Sequence, residues 1–198
     1  MYNRGARELQ EAAGTTRLAD RLREHEARES LSDEDREFIG GACMFFLSTA
    51  DESGRPLCSY KGGLPGFVHV EDDRTLLFPS YDGNGTFRSL GNILVNEKVA
   101  LLFIDFTTQR RTLVEGEAAL LRGRESLRPW EGAQLAVSVR VERVFSSCPR
   151  YIHLHELVAH SEYAPGRGRR PPVPEWKEKA AYKDVLPEPG AGREEPSE

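Results

Sequence analysis

The chain has 198 residues, 30% charged and 38% hydrophobic, with a net charge of −5 and a pI near 5.7. That length suits one domain with a sizeable core plus appendages, and the polar balance predicts that part of the chain is solvated extension. Net negative charge excludes a global field for nucleic acid or anionic membrane, so an anionic ligand needs a local cluster of Arg and Lys.

The opening stretch, MYNRGARELQ, has no apolar h-region, and no apolar run is long enough to span a bilayer, so a cytoplasmic location is the default expectation. Residues 6–29 read as helix, interrupted at Gly14–Thr16. LSDEDREFIGG reads as a short helix, with Ser32 as N-cap, acidic residues in the first turn and Gly40–Gly41 closing it. Strands follow. ACMFFLSTA (42–50) is apolar on both faces, LCSYKG comes next, and GFVHV, the turn EDDR and TLLFPS form a hairpin. In NGTFRSLGNILVN (84–96), Phe87, Leu90, Ile93 and Leu94 recur at helical spacing, which predicts a short helix with a loop-like start. Strands resume with KVALLFID and RTLVEGEAALL, and QLAVSVRVERVF alternates with a clean period of two. Five or six strands with one inserted helix predict a mainly β, α+β fold, a small barrel flanked by helices.

Three units are expected: an N-terminal helical extension (1–31), a central domain (32–160) and a tail (161–198). The tail is rich in Pro, Gly and charge, so most of it should be extended or disordered and dispensable for folding and ligand retention. Trp176 is the one tail residue able to contradict this by docking onto the domain.

SYKGGLPGFVHV (59–70) interrupts a strand pattern with three glycines, which marks a bulge or the close approach of a ligand or another backbone. Lys61 sits where the strand meets Gly62–Gly63, SYDGNG follows the hairpin, Arg88 stands near a helix start, and Arg110–Arg111 open a later strand. Arg and Lys beside a helix N-terminus suit a phosphate, and the glycines permit close approach of a planar ring. Together these features point to a nucleotide-like or flavin-like ligand, although the same arginines also read as solvated surface charge. Cys43, Cys58 and Cys148 have no C-x-x-C spacing, so neither a disulfide framework nor a zinc knuckle is expected. His153, His155 and His160 lack an H-E-x-x-H pattern, and no metal site is expected. No general acid or base stands out, so no catalytic residue is assigned.

YKGGLPGFVHV, GNGTFRSLGN, DFTTQRRTLVEGEA and CPRYI, in this order and spacing, resemble the signature stretches of the pyridoxamine 5′-phosphate oxidase-related flavoproteins, over roughly residues 32–155. The resemblance implies an FMN-binding split β-barrel homodimer with its cofactor in a cleft between subunits. It also implies an oxidoreductase that passes hydride through FMN to a small organic substrate. It places Cys58, Ser59, Tyr60, Lys61 and Gly62 along the flavin and its ribityl chain, with Pro79 and Ser80 at the end of the next hairpin strand. Asn84, Arg88 and Ser89 belong to the phosphate stretch, Arg88 being the gripping residue and Ser89 replacing a second basic one. Arg111 stands where the family has a glutamine and would restore the missing charge. The C-terminal Trp and Arg signature of the true oxidases is not evident, so pyridoxal phosphate formation is not the expected activity. A deazaflavin-dependent reductase and a non-catalytic flavin or haem carrier or sensor are the alternatives. A nicotinamide electron donor would have to stack on the flavin, because the chain has no G-x-G-x-x-G loop.

Overall fold

A computed structural model describes residues 2–121, 123, 125–146, 148–166, 168–169 and 171–187. Two helices open the chain, α1 (Arg4–Ala12) and α2 (Thr16–Glu26), with the expected break between them. Asn3 caps α1 by accepting from the Ala6 amide at 2.9 Å, and Arg7 pairs with Asp20 at 2.7 Å. α1 buries none of its residues and α2 only Ala19, and neither helix adds a residue to the hydrophobic clusters of the sheet. A two-residue strand, β1 (Ala27–Arg28), follows; it is too short to carry a periodic signal.

Helix α3 (Asp33–Gly41) starts at Ser32, as its sequence predicts, and the cap is reciprocal. Ser32 Oγ accepts from the Asp35 amide at 3.2 Å, while the Asp35 carboxylate accepts from the Ser32 amide at 3.0 Å. Asp35 is 1% exposed and also accepts from the Arg28 guanidinium, with Arg110 at 3.7 Å. Burial alone would raise its pKa, but the hydrogen bonds from Arg28 and Ser32 outweigh that and hold the carboxyl below its ordinary range.

The remaining strands are β2 (Met44–Ala50), β3 (Pro56–Gly62), β4 (His69–Val70), β5 (Thr75–Ser80), β6 (Lys98–Asp105), β7 (Arg110–Leu121) and β8 (Leu135–Ser146). They pair antiparallel in the order β3-β2-β6-β7-β8-β5-β4, with β1 also on β8. Alternation decides the faces. Phe45 and Leu47 of β2, Leu101 and Phe103 of β6, and Val137 and Val139 of β8 are fully buried. The ring of Phe45 meets those of Phe67, Phe78 and Phe103 at centroid distances of 5.8, 5.0 and 5.1 Å, and helix α4 (Arg88–Val95) adds Leu90 and Ile93 to this core. The register shifts at Glu115/Gly116, where Glu142 of β8 is the extra residue. A Cβ at Gly116 would overlap the Arg140 carbonyl oxygen, so only glycine fits where the two strands close up.

GFVHV gives less strand than its pattern suggests. The Phe67 amide donates to the Leu64 carbonyl at 2.9 Å, and this turn drives Phe67 and Val68 into the core, leaving only His69–Val70 to pair. The preceding glycines serve the same packing. A Cβ on Gly63 would lie 2.6 Å from Phe67 Cβ, and one on Gly62 would lie 2.7 Å from the Tyr60 ring. The Tyr60 and Phe67 side chains take up the space beside these two glycines.

Between β7 and β8, Trp130 is buried with Ala133 and Ala136 and donates its indole N–H to the Phe67 carbonyl at 2.7 Å. After β8 the chain runs irregularly over 152–161 and then returns to the domain. Ala164 is buried, Pro165 lies beside Gly132 and Gly166 beside Leu64. A 3-10 turn (Glu175–Glu178) and helix α5 (Ala180–Lys183) follow. Trp176 meets the Tyr182 ring edge-on at 6.1 Å, and Lys177 pairs with Asp82. A tail whose composition predicts extension thus makes several specific contacts; residues 188–198 of it lie outside the described residues. Among the described residues no helix is long and apolar enough to cross a membrane.

Candidate cofactor site

Strand β3, the end of β5 and the first turn of α4 converge on an open cavity of about 330 Å³. β3 contributes Cys58, Ser59 and Lys61, β5 contributes Ser80, and the following loop contributes Asn84. Arg88 and Ser89 enter from α4. Seven of the residues assigned from sequence therefore share one cavity. The serines tie its walls together, since Ser59 Oγ and Ser89 Oγ are 2.9 Å apart. Asn92 of α4 donates to Thr49 Oγ1 of β2 at 3.0 Å, which fixes the helix over the sheet.

The start of α4 is open. Its N-cap residue, Phe87, has φ +45° and makes no side-chain capping bond, so the first-turn amides lack the usual protein acceptor. Positive φ at an aromatic residue is unfavourable, and such strain concentrates at functional sites. Just upstream, Asn84 Oδ1 accepts from the Thr86 amide at 3.1 Å and its hydroxyl at 2.7 Å, shaping the turn into the helix. Lys61 is largely desolvated, which lowers its pKa, and neither Lys61 nor Arg88 forms an ion pair among the described residues. Two cations, two hydroxyls and an uncapped helix start on one cavity form a donor set for an anion such as a phosphate.

The other assigned residues lie elsewhere. Tyr60 is 62% exposed on the opposite face of β3, edge-on to Phe46 at 6.0 Å. Gly62 lies beneath the Tyr60 ring, and Pro79 is buried opposite Ala136 of β8. Arg111 pairs in register with Ile104 of β6, away from the cavity, and its Nε is buried without a hydrogen-bond partner among the described residues. Its neighbour Arg110 is structural: it stacks over the Phe38 ring at 4.6 Å and donates to the Glu34 carbonyl at 3.1 Å. Among the cavity residues that carry no assignment from sequence are Tyr81 and Gln134. Burial raises the Tyr81 phenol pKa, and the Gln134 amide reaches the site because it donates to the Ser80 carbonyl at 2.8 Å. His155 packs edge-on against Phe106 at 5.1 Å.

Among solved structures the chain is similar to HupZ of Group A Streptococcus, at 19% identity over 59% of this chain and 93% of that one, with a TM-score of 0.47. It is also similar to an FMN-binding protein of Syntrophomonas wolfei, at 14% identity over 71% and 97%, TM-score 0.45. A third is HutZ, the heme storage protein of Vibrio cholerae, at 17% identity over 59% and 94%, TM-score 0.43. No curated protein sequence matches it. Residues 31–148, more than half of the chain and the span that holds the cavity, match the family model for pyridoxamine 5′-phosphate oxidase, and the chain belongs to that family.

Proposed function

We propose that the protein binds FMN in this cavity and works as an oxidoreductase, as a homodimer of split-barrel subunits. The observation that carries this reading is the convergence of Lys61 and Arg88, both without acidic partners among the described residues, on the uncapped start of α4. The cavity is near the lower limit of small-molecule sites, roughly 300–1,000 Å³, and it is open, which suits a phosphate held inside and a ring extending outward. Arg88 and the α4 amides would take the phosphate oxygens, while Ser59 and Ser89 would meet the polar chain and Lys61 would offset the anionic charge. When bound, FMN supplies the hydride chemistry. The protein's own residues bind and orient it, and the half-buried Tyr81 restricts water on one side.

The second copy is supported by the outward face of the sheet. Met44 and Phe46 of β2, Leu102 and Ile104 of β6 and Leu113 of β7 are only partly buried there, next to exposed Tyr60. A two-fold contact would cover this face. It would also give Arg111, remote from its own chain's cavity, a route to the partner's.

Anaerobic mixing tests the reaction. Bleaching of bound FMN by NADPH, with reoxidation by a second substrate, is the expected result. Oxidation of a reduced deazaflavin by a colourless protein would replace this reading with the deazaflavin reductase, and no electron transfer with either would favour a carrier.

A further inference from the structure

We infer that the C-terminal segment is a strap that holds the loop over residues 81–87 at the rim of the cavity, with Lys177 as its clasp; this rests on the cofactor reading above. The strap has two anchors. The first is Ala164–Pro165–Gly166, where Ala164 is buried and the other two lie against Gly132 and Leu64. The second is Lys177, whose ammonium pairs with Asp82 and lies 5.6 Å from the centre of the Trp176 ring. Trp176 is braced in turn by Tyr182, at 6.1 Å. Lys177 keeps only 21% of its side chain exposed, so its stem is packed while its charge is spent on one carboxylate.

Asp82 is well placed to be held. It follows Tyr81 and precedes Gly83, Asn84 and Gly85, all at the cavity. Its other carboxylate oxygen accepts from Gln134, a further cavity residue, at 3.3 Å. The loop is rich in glycine, and its internal tie is the Asn84–Thr86 turn, so an outside contact has leverage over its position. Lys177 and Asp82 are therefore positioning residues. They set where Asn84 and the strained Phe87 present the α4 amides, and they slow release of whatever those amides hold.

Amide hydrogen exchange on the ligand-free, full-length protein tests the strap without relying on any cofactor. Lys177→Met and Asp82→Asn should each speed exchange at 82–87 about two- to five-fold, the range of a partly exposed ion pair. β6 and β8 should be unaffected, and the double variant should exchange no faster than either single one. The exchanged pair, Lys177→Asp with Asp82→Lys, should recover most of the protection, which general loosening of the fold would not do. The single variants should also release FMN about two- to five-fold faster, and the exchanged pair should reverse this. Unchanged or additive exchange at 82–87 overturns the strap. Faster exchange with unchanged FMN release overturns its role in retention. If the wild-type protein binds no FMN, the cofactor reading fails, and the exchange data alone decide whether the strap exists.

Discussion

Replacing Arg88 by alanine should weaken FMN binding about ten- to a hundred-fold, the equivalent of one or two charge-assisted hydrogen bonds of about 1.5–3 kcal/mol. Arg88 is the first residue of α4, exposed and free of acidic partners among the described residues, and it lines the cavity beside an uncapped helix start. Nothing in the core depends on it, so thermal stability without ligand should stay within about 0.5 kcal/mol of wild type. Arg88→Lys should fall between the two, because lysine keeps the charge but loses the planar fork. Fluorescence titration measures all three. Equal affinity in wild type and Arg88→Ala would move the phosphate elsewhere.

Asp35→Ala should give the largest loss of stability. Asp35 closes the capping box of α3 and receives Arg28 and Arg110, joining α3, β1 and β7 at one buried carboxylate. Losing a cap and a charged hydrogen bond costs about 2–3 kcal/mol, which lowers the melting temperature by about 5–10 °C for a chain of this size. The effect depends on pH in a definite direction. The folded carboxyl is held below its unfolded value of about 3.9, so its contribution is complete at neutral pH and is lost as pH falls through the folded value. The stability gap between wild type and variant should be constant above about pH 5 and narrow below about pH 4. A gap that persists unchanged into strong acid would show that Asp35 acts through shape rather than charge.

Local physics was legible in the sequence. The Ser32 cap, the period of two in β8 and the helical spacing of Leu90 and Ile93 all report short-range preferences, and each reappears as an element at nearly the predicted residues. Contacts across long sequence distance were not legible. Gln134 reaches the cavity through its pairing with Ser80 and its bond to Asp82, and Lys177 meets Asp82 across 95 positions. Adjacent residues on a strand also part company. Arg110 and Arg111 look like one basic pair, but successive side chains point to opposite faces, so one joins Asp35 and the other does not. Glycines are ambiguous for a related reason. Gly62 and Gly63 mark close approach, and sequence could not say that Tyr60 and Phe67 are what approach.

The central claim, FMN in the cavity of Lys61 and Arg88, is tested most directly by the visible spectrum of the purified protein, before and after addition of FMN. The expected result is flavin absorbance that stays with the protein through gel filtration and is released, fluorescent, on denaturation. A Soret band, or a colourless protein that retains no added FMN, would contradict it.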